Sequence, residues 1–110
     1  MPSYSRNEIV LVRYPFSDLT NFKVRPAVVV NGRHSSHDLI VVSLTSKTHS
    51  LLSGEFTLNN WKSSGLNVES AVKRGIFTIH EKLVLKSVGS ITNDDAAALE
   101  ESLRGWLGLG

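Results

Sequence analysis

Arg25-Pro26-Ala27-Val28-Val29-Val30 is the stretch on which the fold turns. A charged residue and a proline lead straight into an apolar run dominated by valine. Branched side chains suit a pleated, packed surface, and a short apolar run bounded by turn formers reads as a buried strand. Pro26 has no N–H to give to a ladder, so it belongs at the start of the strand or on an edge. Arg25, preceding proline, is held extended and is expected at the strand mouth. Asn31-Gly32 closes the run, and Arg33 to Asp38 forms a polar turn. A second apolar run, Leu39-Ile40-Val41-Val42-Ser43-Leu44, then ends in Thr45-Ser46-Lys47. Two strands with polar chemistry at one end look like a scaffold for a site, where arginine and threonine can meet over a phosphate.

Upstream, Glu8 to Tyr14 reads as a first strand with apolar residues on both faces, followed by a long loop from Pro15 to Lys23. Downstream, Gly54 to Leu58 alternates as a fourth strand, and Asn59 to Leu66 suggests a short helical turn ending at Gly65. Glu69 to Val72 and Ile76 to Ile79 read as two further strands separated by Lys73-Arg74-Gly75. Val84-Leu85 and Val88 to Ile91 form a last extended pair. The one convincing helix follows Thr92-Asn93. Thr92 is a good N-cap, and Asp95 three residues on completes a capping-box-like pattern. Ala96, Leu99, Leu103, Trp106 and Leu107 make one apolar stripe at spacings of three and four. Many short strands plus one terminal helix predict a mainly β (α+β) chain, a small bent β barrel capped by a helix.

The totals fit one domain over 1–110, close to the usual size and large enough for a core. There is no cysteine, which excludes disulfides and thiolate metal ligands. No signal-peptide or membrane-length apolar run is present, so a soluble, cytoplasmic protein is expected. Net charge is +2, but eleven Lys/Arg face six Asp/Glu in residues 1–93, giving +5, while residues 94–110 carry −3. A basic body with an acidic terminal segment suits a polyanion partner, although an ordinary solvated surface explains the same numbers.

Four segments together resemble the MazF/PemK toxins of type II toxin–antitoxin systems. They are Asn7 to Val12, Arg25 to Val30, Leu44-Thr45-Ser46, and Val88-Gly89-Ser90-Ile91 before the last helix. The resemblance runs from about residue 6 to 107. It implies an SH3-like β barrel with a C-terminal helix, a homodimer, and metal-independent, sequence-selective cleavage of single-stranded RNA. It also implies a cognate antitoxin whose acidic, flexible tail lies in the RNA groove. No cofactor is expected.

Such cleavage uses the substrate's 2′-OH as nucleophile and leaves a 2′,3′-cyclic phosphate and a 5′-OH. A base must take the 2′-OH proton, a cation must hold the phosphorane charge, and the departing oxygen must be protonated. Arg25 suits the charge, because a guanidinium fork meets two phosphate oxygens and keeps its proton; its hydrogen bonds can also serve the leaving oxygen. The bland alternative is a surface arginine in a salt bridge. Thr45 is the second candidate, through its hydroxyl, with Ser46 assisting and Lys47 attracting phosphate; plain turn chemistry is their alternative. Where many relatives carry an arginine and an aspartate, this chain has Phe77-Thr78-Ile79-His80. His80 is therefore a candidate base, its ordinary pKa of about 6.5 suiting proton exchange, or a histidine bonded to backbone. Phe77 offers a stacking face or core packing. Phe16, Asn21 and Lys23 in the long loop are candidate base readers, and Lys73 and Arg74 candidate phosphate contacts. His34, His37 and His49 form no metal signature. Two rivals remain at this level: a topoisomerase-binding toxin resembling CcdB, acting through the C-terminal helix region, and an RNA-binding module without catalysis.

Overall fold

The structure, a computed structural model, describes residues 4–15, 22–32 and 35–110. Six strands follow in chain order: β1 (Glu8–Pro15), β2 (Phe22–Val29), β3 (Asp38–Thr45), β4 (Phe56–Thr57), β5 (Ala71–His80) and β6 (Val84–Ser90). A 3-10 turn (Glu81–Leu83) joins β5 to β6, and helix α1 (Asn93–Leu107) ends the chain. All pairings are antiparallel, in the order β4-β5-β3-β2-β1-β6.

That order forces the sheet to curl. Strands β5 and β6 are separated by β3, β2 and β1, about 19 Å across a flat sheet at ~4.8 Å per strand. A three-residue 3-10 turn rises only about 6 Å. The two halves must therefore bend toward each other, which gives the expected barrel-like form with its C-terminal helix. No ladder joins β4 to β6 among the described residues, so the sheet stays open.

Both faces of the curled sheet are covered, which is why consecutive residues of β1, β2 and β3 are apolar. One cluster contains Ile9, Val28, Val42, Leu44, Val72 and, from α1, Leu99; Ala96, Leu103 and Trp106 pack against it. The other contains Val10, Val12, Ala27, Val29, Leu39, Val41 and Ile79, with Phe77, Leu83 and Val84 packed on it. Of the predicted helical stripe only Leu107 falls away, 56% exposed.

Thr92 caps α1 as expected, its side chain accepting from the Asp95 N–H at 3.5 Å. The Asp95 carboxylate does not complete the box. It is buried and accepts instead from the backbone N–H groups of Asn59 (2.9 Å) and Asn60 (3.0 Å). The 59–65 turn ends at Gly65, whose φ of 97° favours glycine. Its neighbour in space is Gly89: a Cβ there would collide with the Ser64 carbonyl. The Val88-Gly89 pair thus marks a place where two backbones touch.

Several boundaries differ from the sequence expectation. Strand β2 begins at Phe22, because β1 continues opposite it to Pro15, so Arg25 lies inside a strand rather than at its start. The expected strands at 69–72 and 76–79 are one strand, β5, with a bulge. The register passes from Val42↔Ile76 to Leu44↔Val72, leaving Lys73-Arg74-Gly75 opposite Ser43. Strand β4 shortens to two residues because β5 offers it only Ala71 and Val72 before that bulge.

Candidate functional site

The placement of Pro26 creates the site. The Val29 carbonyl accepts from the Asn7 N–H (2.7 Å), so Val29 faces β1. Backbone polar groups alternate sides along a strand, and Pro26, three residues earlier, faces β3. There its missing N–H ends the β2–β3 ladder, whose last pair is Ala27↔Ser43. Beyond that point, among the described residues, β2 pairs with β1 alone and β3 with β5 alone, through Thr45↔Ala71. The two strands part like a fork. Extending their register by two residues sets Arg25 opposite Thr45, both on the face carrying Ala27, Val41 and Val12.

Each side chain suits that position. Arg25 is exposed, and its Nη1 donates to the neighbouring Val24 carbonyl at 3.3 Å. Among the described residues it has no carboxylate partner. The Thr45 hydroxyl accepts from the Lys47 N–H at 3.1 Å. That turn uses one lone pair and leaves the O–H to donate elsewhere. Ser46 and Lys47 follow it, exposed. Lys23 lies two residues before Arg25 on the same strand and is also exposed.

The bulge of β5 brings Lys73 and Arg74 near the fork, both exposed. Arg74 lines a separate groove of about 640 Å³ with Glu55, Phe56, Ser102 and Trp106, against α1. Its backbone N–H and that of Leu52 donate to the Glu55 carboxylate at 2.9 and 2.7 Å. These bonds, Arg74's first, hold the Glu55 carboxyl below the usual carboxylate range, with Lys73 adding to the effect.

Other predicted residues are not brought together with Arg25 and Thr45. His80 pairs with Asp38 at the opposite end of β3 from Thr45, about 23 Å away along an extended strand. Alternation also places it on the other face, and its Nδ1 accepts from the Lys82 N–H at 3.1 Å. It is exposed, but it caps the 3-10 turn, which is the backbone-bonded alternative. Phe77 sits opposite Val41 and packs on the buried cluster of that face. Phe16, Asn21 and His34 lie outside the described residues. His37 approaches Glu81 at 3.7 Å, and His49 is exposed. Among the described residues no three His, Asp or Glu side chains gather as a metal set. Sequence reading passed over the pair formed by Thr48 and Glu69, whose hydroxyl and carboxylate meet at 3.2 Å beside the Thr45 turn. They lie 21 residues apart in the chain, so no local pattern announces them.

The model of the PemK-like, MazF-like toxins of type II toxin–antitoxin systems matches residues 5–107. The chain belongs to this family. No curated protein matches this PemK-like toxin. Solved structures with the same fold include an endoribonuclease in complex with its cognate antitoxin from a mycobacterial species. It is 18% identical, each chain is covered to 98%, and the TM-score is 0.77. The toxin MazF-mt6 of Mycobacterium tuberculosis is 19% identical over 94% of this toxin and 98% of that chain, with a TM-score of 0.73. A MazE–MazF complex from Deinococcus radiodurans reaches 0.80 at 14% identity, with 97% of each chain covered. Among the described residues of this toxin no helix is long and apolar enough to cross a membrane.

Proposed function

We propose that this toxin is a metal-independent, sequence-selective endoribonuclease that cuts single-stranded RNA by attack of the 2′-OH on its neighbouring phosphate. The observation that carries the reading is the fork: an arginine with no carboxylate partner among the described residues, and a threonine O–H, in register across the gap where the β2–β3 ladder stops. Arg25 holds two oxygens of the phosphorane, and its charge persists at any working pH. Thr45 donates to the same phosphate or to the ribose. Lys23, Lys47, Lys73 and Arg74, with Ser46, follow the RNA backbone past the fork. Phe16 and Asn21 are the proposed base readers, and Phe77 supports the floor of the site rather than stacking. His80 is left out of the reaction by its position.

On this reading the partners are cytoplasmic single-stranded RNA, a second copy of the chain, and an antitoxin. The family supports it, and so do two solved structures of the same fold, an endoribonuclease bound to its cognate antitoxin and a MazE–MazF complex. An acidic, flexible antitoxin segment would compete with RNA phosphates for the same cations. The test is incubation of purified toxin with single-stranded RNA in chelator. Fragments ending in 2′,3′-cyclic phosphate and 5′-OH support the proposal. Intact RNA with a folded toxin that retains a topoisomerase subunit would replace it with the CcdB-like reading.

A further inference from the structure

Among the described residues the fork itself supplies a cation and a hydroxyl but no ready proton acceptor, because a threonine alkoxide is too basic to form readily. We propose that Glu69 is the general base of the toxin, an inference that rests on the RNA-cleaving reading above. Glu69 lies two residues before Ala71, the β5 partner of Thr45. Continuing that register sets it opposite Lys47, in the turn that Thr45 begins. The Thr48 hydroxyl donates to its Oε1 at 3.2 Å, tying the carboxylate to the segment that follows Thr45. The residue is exposed, and the Thr48 bond uses Oε1, which leaves Oε2 able to accept a proton. One residue spacing of two along a strand is about 6.6 Å, which a glutamate side chain and one ribose together span.

The other carboxylates among the described residues are committed elsewhere; Asp18 lies outside those residues. Both oxygens of Glu55 accept backbone N–H groups, which also weakens it as a base. Both oxygens of Asp95 are buried on Asn59 and Asn60. Asp38 and Glu81 lie at the His80 end of the sheet. Glu8 binds the Ser5 N–H and pairs with Ser90 at the far end of β1 from Arg25's partner Val12. Asp94, Glu100 and Glu101 are on α1, which packs on the opposite face.

In the reaction the 2′-O–H bond breaks and its proton passes to Glu69 Oε2, while the 2′-oxygen forms a bond to phosphorus. The P–O5′ bond then breaks, the departing 5′-oxygen takes a proton from water, and Glu69 returns its proton to solvent. Lys47 and Lys73 offset the repulsion between carboxylate and phosphate.

The experiment is the pH–rate profile of cleavage for the wild-type toxin, Glu69→Gln, Glu69→Asp and His49→Asn, all in chelator. Loss of a general base typically costs 10²–10⁴-fold. Glu69→Gln should lower kcat by about 10²-fold or more with KM within about threefold, and should remove the acidic limb of the profile. Glu69→Asp should lower kcat but keep that limb. Wild-type kcat and an unchanged limb in Glu69→Gln would overturn the assignment, as would a limb near pH ~6.5 that vanishes in His49→Asn. A purely structural role would move KM or thermal stability and leave the limb in place, which also overturns it. Absence of cleavage by the wild-type toxin defeats the function itself, whereas cleavage that ignores Glu69 defeats only the base.

Discussion

Replacing Asp95 with alanine should loosen the attachment of α1 to the rest of the fold. Asp95 is 1% exposed, and its two oxygens take the Asn59 and Asn60 N–H groups at 2.9 and 3.0 Å. The neighbouring Asn60 Nδ2 donates to Thr92 Oγ1 at 2.9 Å, so the N-cap shares the same knot. Hydrogen bonds to a charged group contribute about 1.5–3 kcal/mol each. Asn59 is exposed and its N–H can turn to water, which offsets part of one bond. The expected loss for Asp95→Ala is therefore about 2–4 kcal/mol. Asn60→Ala, which removes only the side-chain bond to Thr92, should cost about 1 kcal/mol. Urea titration at a fixed protein concentration reads the effect as a fall in midpoint at constant slope. A change below about 0.5 kcal/mol for Asp95→Ala would refute the view that this carboxylate anchors the helix.

Three further outcomes follow from the same geometry. Gly89→Ala should destabilise the toxin by about 1–3 kcal/mol, the usual range for overpacking, because the new methyl meets the Ser64 carbonyl rather than a movable side chain; thermal melts check it. Glu55 has a folded pKa below its ordinary value, so its contribution is present at neutral pH and is lost as pH falls below ~4.3. Melts of Glu55→Gln across acid pH should accordingly show a shallower loss of stability than the wild type. His80→Ala should leave the RNA cleavage rate within about threefold, since the imidazole caps a turn at the far end of β3; a loss of 10²-fold or more, in the range of general-base catalysis, would return His80 to the site.

The fold was legible where pattern is local. Valine-rich runs on β2 and β3 declared strands covered on both faces, and Thr92 with the spacing of Ala96, Leu99, Leu103 and Trp106 declared the helix. Strand ends were harder, because they depend on what lies alongside. Phe22 to Val24 became strand only because β1 continues opposite them, and Lys73-Arg74-Gly75 stayed in β5 because a bulge absorbs them. In the candidate site, Arg25 and Thr45 stood out in the sequence by their places on two apolar strands. Their alignment was not, since it follows from the point at which Pro26 ends a ladder. His80 looked suitable by type, and only the register shows that it belongs to the other end of the sheet. Glu69 and Asp95 act through partners 21 and 36 residues away, beyond any periodicity.

If Arg25 and Thr45 act on one phosphate across the fork, a double-mutant cycle on kcat shows it. Arg25→Ala should slow cleavage by about 10²–10³-fold, as loss of a preorganised charge donor does. Thr45→Val keeps the side-chain volume but removes the hydroxyl and its turn bond, and should cost about tenfold or more, the equivalent of one ordinary hydrogen bond. Groups that serve one reacting centre are not additive, so the double variant should be little slower than Arg25→Ala alone. A double variant whose loss is the full product of the two single losses, or an Arg25→Ala toxin that cleaves at the wild-type rate, would contradict the account.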